Sequence, residues 1–212
     1  GCGNDTAGDS GGGSPVATER PDPGFDPDDP AYDVAPESRA PDARRLSLLG
    51  TAAGFRVRRA ALVGLKPGPM ARTAIARIWN ELIMPDRRYW RLTPGQRALY
   101  ALQLAEFEIR EGGFDQLWFE ASGYVAPDLR AAAELVGATD HAAIYRDAGA
   151  LFKGGITPRD QFERQAIVSS FPDAAVTRLN ERYANLRLHR RTSLGLILGT
   201  YVRTHLDEFI AE

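Results

Sequence analysis

From Pro67 onward, apolar residues recur at helical spacing between stops made of proline and glycine, and no run of any length alternates apolar with polar residues. Segments of that kind bury one face each by packing helix on helix. The chain is therefore predicted to be all-α, a compact multi-helix domain preceded by a disordered N-terminal linker.

The first segment opens at Pro69-Met70-Ala71 and carries Ile75, Ile78, Trp79, Leu82 and Ile83 on one stripe before Pro85 stops it. Thr93-Pro94-Gly95-Gln96 has the form of a capping box, with proline where a missing N–H costs nothing. The helix it starts is expected to turn Tyr100, Ala101, Leu104 and Phe107 inward and to end at Gly112-Gly113, since glycine takes the left-handed conformation of a helix end. A short amphipathic turn from Phe114 to Ser122 follows, closed by Gly123. Further helices are expected from Ala126-Pro127 to Gly137, from a Thr139 cap to Gly154-Gly155, and from Thr157-Pro158-Arg159-Asp160 through Phe162, Ile167 and Phe171 to Pro172. Two longer ones, Asp173 to Arg190 and Ser193 to Phe209, complete the chain.

Charge divides the 212 residues into three parts. Residues 1–43 hold ten acids against Arg20 and Arg39, residues 44–90 hold ten bases against Glu81 and Asp86, and residues 91–212 hold sixteen acids and fourteen bases. The first part, with its Gly11-Gly12-Gly13-Ser14-Pro15 run, has too few bulky apolar groups to offset the entropy of ordering and is read as a linker. Residues 44–90 form a basic extension with one helix, and 91–212 the main domain. Leu46 to Leu65 is broken by Arg56, Arg58 and Arg59. It can pack on the domain or lie on an anionic lipid surface.

Cys2 stands alone, so an intrachain disulfide and a thiolate metal cage are both excluded. Gly1-Cys2 followed by a Gly/Ser/Asp tether resembles the end of a bacterial lipoprotein signal peptide. On that reading Cys2 is lipidated and the chain sits in the cell envelope; otherwise Cys2 is an exposed thiol and the protein is cytoplasmic. His141, His189 and His205 have no metal-ligand spacing.

The densest stretch is 106–120, where Glu106, Glu108, Glu111, Asp115 and Glu120 face only Arg110, with Gln116 and Trp118 among them. Three readings stand here: a solvated face, a negative surface that meets a basic protein partner with Trp118 as its anchor, or a carboxylate metal or catalytic site. The third lacks a neighbouring histidine or a phosphate-binding loop. Arg178, Arg182, Arg187, Arg190 and Arg191 spread around a helical wheel and read as a solvated helix rather than a nucleic-acid stripe.

Ordered landmarks add a resemblance. Glu108-Ile109, Glu111-Gly112-Gly113-Phe114, Gln116, Trp118-Phe119, Ser122-Gly123, Val136-Gly137-Ala138, Leu179-Asn180-Glu181-Arg182-Tyr183 and the run Tyr201 to Phe209 resemble a bacterial domain-of-unknown-function family that includes the Neisseria-type DNA-mimic protein. The likeness covers about residues 92–210. Arg110, Glu111 and Glu120 depart from it, standing where the family often has Asn. The resemblance implies an all-helical fold and, for its known member, occupation of a DNA-binding protein by carboxylates spaced like phosphates. A net charge of −2 over residues 91–212 is weak for imitating a phosphate field.

Together these readings predict a non-enzymatic protein-interaction module without cofactor or metal. Its partner-binding candidates are Glu106, Glu108, Glu111, Asp115, Gln116, Trp118 and Glu120, its lipidation candidate is Cys2, and a homo-oligomer is left open. A cytoplasmic DNA-mimic-type regulator is the alternative, and a carboxylate enzyme or metal binder the third reading.

Overall fold

A computed structural model describes residues 55–82 and 88–211, and these form an all-α domain. Cys2, the acidic linker, the first residues of the basic extension and the Pro85 stop lie outside the described residues. Eight α-helices occur among them: α1 (Arg59–Leu62), α2 (Pro67–Leu82), α3 (Pro94–Phe119), α4 (Leu129–Val136), α5 (Thr139–Gly149), α6 (Gln161–Val168), α7 (Asp173–Leu188) and α8 (Leu194–Thr204). Short 3-10 turns join several of them. Two two-residue strands, β1 (Val57–Arg58) and β2 (Ile210–Ala211), pair in parallel with Val57 opposite Ile210. A pairing this short carries no alternation that a sequence reading could detect.

Helix α3 is the axis of the fold. It packs against α2, α4, α6 and α7, and Leu99, Ala101, Leu102 and Ala105 along it are fully buried. Its start is the expected capping box: Thr93 Oγ1 accepts from the Gln96 N–H, and Gln96 Oε1 accepts from the Thr93 N–H, both at 3.2 Å. A distant carboxylate reinforces it. Glu208 accepts from Thr93 Oγ1 at 2.6 Å and from the Gly95 N–H at 2.9 Å, so an anion sits at the positive end of the helix. A Cβ on Gly95 would lie 2.5 Å from that carboxylate.

The described part of the basic extension belongs to the same core. Phe55, Leu62, Met70 and Ile78 are buried with the residues of α3 and α8, so of the two readings for Leu46 to Leu65 its described residues show packing on the domain. Helix α2 crosses α8 so closely that a Cβ on Gly199 would meet the Pro67 backbone at 1.7 Å.

Several inward assignments differ from the expectation. Phe107 is 48% exposed, because the buried arc of α3 runs through Leu104, Ala105, Glu108 and Ile109 and leaves residue 107 beside Arg110 on the outer side. Phe162 is 76% exposed, and Arg164, two positions on and therefore across the helix, takes the inward place. Asp160, not Thr157, caps α6 by accepting from the Glu163 N–H at 2.8 Å, while Thr157 is buried before the helix begins. Thr139 is the first residue of α5 and caps nothing with its side chain. Gly137 does end α4 in the left-handed region, at φ 80°.

His141 lies in the core, 1% exposed and edge-on to Tyr183, with no hydrogen-bond partner at Nδ1. Burial holds its pKa below the ordinary histidine value, and the Asp140 carboxylate opposes that only in part. A base with a depressed folded pKa leaves stability intact above its unfolded value and costs stability as pH falls through that value. Urea unfolding is therefore expected to show a stability decline below about pH 6.5 that His141→Asn makes shallower; equal pH dependence in both proteins would contradict the neutral core histidine.

Candidate functional site

The segment around the double glycine is built by contacts from distant helices. At Gly112 (φ −149°, ψ 20°) and Gly113 (φ 75°, ψ −166°) the backbone leaves helical geometry and then resumes it. Resumption leaves orphan N–H groups in the new first turn. Asn180 of α7 caps one of them, its Oδ1 accepting from the Phe114 N–H at 2.8 Å. A Cβ on Gly113 would fall 2.6 Å from the Asn180 amide, so both the positive φ and the close approach require glycine. Two of the sequence landmarks, Gly112-Gly113-Phe114 and Leu179-Asn180, thus meet in one contact.

Beyond the break, Phe114 and Trp118 turn inward, each 1% exposed. Trp118 lies against the rings of Phe114, Phe152 and Phe171. This corrects its reading as a partner-binding anchor: a side chain enclosed by three aromatic rings offers nothing to an approaching surface.

The C-terminal end of α3 is held by Arg164, which is fully buried. Its guanidinium donates to the carbonyls of Trp118 at 2.9 Å, Glu120 at 2.7 Å and Pro158 at 3.3 Å, and also to that of Arg159. Burial lowers its pKa to about 10, offset in part by Asp160, so it stays a cation at neutral pH. The facing backbone must be bare, since a Cβ on Gly123 would sit 2.2 Å from the Leu117 carbonyl oxygen and 2.8 Å from the guanidinium. No sequence motif marks this arginine, although Ile167 and Val168 on the same helix pack against the core.

The predicted partner-binding acids do not form one face. Glu106 accepts from Tyr183 Oη at 2.6 Å and pairs with Arg187 at 3.1 Å. Glu108 is 7% exposed and accepts from Ser122 Oγ at 2.6 Å and from Gln116 at 3.4 Å. Its inclusion among the contact residues is corrected, because it fastens the turn after α3 from within. Glu111 is exposed and matched by Arg110 at 3.1 Å, and Gln116 bridges to Glu120 at 3.3 Å.

Asp115 differs from the rest. It lines a pocket of about 480 Å³ with Asp173, Thr177, Asn180 and Phe171, and among the described residues no cationic side chain lines that pocket. Partial burial lifts its carboxyl above the ordinary aspartate range, its own backbone N–H opposes this, and the Asp173 carboxylate adds to the rise. A carboxylate whose proton affinity is raised by burial and by a second carboxylate in the same pocket is a place for an arriving cation. Asp173 was missed in the sequence because it reads as an ordinary helix-start acid.

Among the described residues, no three His, Cys, Asp or Glu side chains gather to hold a metal ion, and no helix is long and apolar enough to cross a membrane. Of the C-terminal arginines, Arg182 pairs with Asp147 at 2.7 Å and Arg187 with Glu106.

Replacing Arg164 by Met is expected to lower unfolding stability by about 3 kcal/mol, because it leaves buried carbonyls without donors. Arg164→Lys is expected to recover only part of that, since an ammonium cannot fork toward several carbonyls. Wild-type urea midpoints for both variants would contradict the clamp.

No curated protein and no solved structure is significantly similar to the chain. A family model does match, that of the DMP19-like proteins, over residues 91–205, which takes in α3 through α8 with the double-glycine break, its Asn180 contact and the Arg164 clamp. By that match the chain belongs to the DMP19-like protein family.

Proposed function

We propose that this chain is a non-catalytic protein-interaction module whose partner is a basic, DNA-binding protein, engaged at the pocket of Asp115 and Asp173. The observation that carries the reading is that pocket: two carboxylates, no cationic side chain among the described lining residues, and the half-buried ring of Phe171. A guanidinium entering it gains both carboxylates and an aromatic neighbour. Membership of a family named for a DNA-mimic protein supports the same class of partner.

The mode differs from imitation of a phosphate field. Several of the domain's carboxylates serve the fold itself, Glu208 capping α3 and Glu108 bracing its end. With −2 over residues 91–212, recognition rests on one basic anchor residue in a pocket rather than on long-range attraction along a duplex-like surface. The reading holds whether or not Cys2 carries a lipid.

Capture on the immobilised full chain from a lysate of its host tests this, followed by elution with duplex DNA. The expected result is a captured DNA-binding protein that duplex DNA releases, and that Asp115→Asn/Asp173→Asn no longer retains. Retention is also expected to weaken on acidification sooner than an ordinary aspartate would allow, since the Asp115 carboxyl takes its proton at higher pH. Capture that is indifferent to both DNA and the double substitution would refute the assignment. Glu108 is unsuited to such a test, because a lysine there would place a cation inside the α3 turn.

A further inference from the structure

Helices α2 and α3 and the junction of α7 with α8 enclose a groove of about 710 Å³ whose character is opposite to that of the acidic pocket. Among the described residues, Arg72, Arg110 and Arg187 line it against a single carboxylate, Glu106. That carboxylate is already committed to Tyr183 at 2.6 Å and Arg187 at 3.1 Å. Arg72 is exposed, and among the described residues the ion pair of Arg110 is with its neighbour Glu111, both side chains being about half exposed at 50% and 54%. An ion pair that open to water is weak, so Arg110 is available to a better-placed anion. The groove also has apolar lining: Ile75 and Leu194 are buried side chains that reach it, and half-buried Trp79 stands with them.

We propose that this groove binds an acidic peptide segment of a partner protein, seating an aromatic or aliphatic side chain on Ile75, Trp79 and Leu194 and its carboxylates on Arg72 and Arg110. Arg187 completes the positive side while remaining tied to Glu106. Charge complementarity selects an acidic ligand, and the apolar lining selects a peptide over a nucleic acid. A phosphate backbone would gain nothing from Ile75 and Leu194, whereas a peptide side chain buries apolar surface on them.

Fluorescence anisotropy with the full chain tests the proposal. The probe is a short labelled peptide of aspartate and glutamate around a central phenylalanine, titrated at low and then raised salt. Binding is expected, declining with salt and with replacement of the phenylalanine by serine. Arg72→Glu and Arg110→Glu are each expected to weaken it about tenfold, with helical circular dichroism unchanged. Arg72→Gln and Arg110→Gln, gentler on the fold, should weaken it in the same direction. Asp115→Asn/Asp173→Asn should leave it intact, which separates this groove from the acidic pocket. Absence of binding at low salt, affinity unmoved by the arginine variants, or preferential binding of labelled duplex DNA would overturn the proposal.

Discussion

The hydrogen bond from the Phe114 N–H to Asn180 Oδ1 joins positions 66 apart in the chain, and much of the domain follows from it. Gly112 and Gly113 break α3, and without a partner the restarted turn would present an uncapped amide to the interior. Asn180 supplies the acceptor, and Gly113 supplies the space for it to approach. The restarted helix then aims Phe114 and Trp118 into the core, where they meet Tyr145, Tyr183, Phe152 and Phe171. Arg164 gathers the carbonyls at the far end, so the segment is tied at its start by α7 and at its finish by α6.

The landmark residues by which this sequence resembles the family are largely structural in this chain. Glu108, Ser122 and Gln116 brace one turn, Gly123 makes room for a buried guanidinium, and Glu208 caps a helix that begins over a hundred residues earlier. The proposed contact residues are side chains outside this bracing network. Asp115 and Asp173 share a pocket because the Gly113 contact with Asn180 brings the start of α7 to the restarted helix. Arg72 and Arg110 share a groove because α2 packs on α3 and α8. One surface is suited to a basic partner and the other to an acidic one.

Local signals in the sequence were reliable where a few neighbouring residues decide the outcome. The Thr93 capping box, the Gly112-Gly113 break, the left-handed Gly137 and the all-helical class were legible because caps, glycine conformations and apolar periodicity act within a turn or two. Phe107 and Phe162 were misjudged because a hydrophobic stripe says that one face is buried without saying where its edges fall. Arg164 was invisible, since a buried arginine serving backbone carbonyls looks in sequence like any solvated one. The carboxylates of 106–120 looked like one cluster because they are close in sequence. Helical geometry sends Glu108 inward and Asp115 toward Asp173, and only tertiary contacts reveal that division.

Native-state hydrogen exchange at the Phe114 amide, in the wild type and in Asn180→Ala, reports on the contact that organises the rest. The expected result is an amide in the wild type that exchanges as slowly as those in the middle of α3, through global unfolding, and one that becomes fast in the variant along with its neighbours in the restarted helix. A Phe114 amide that exchanges rapidly in the wild type, or one whose protection survives removal of the Asn180 side chain, would contradict the role given to this hydrogen bond.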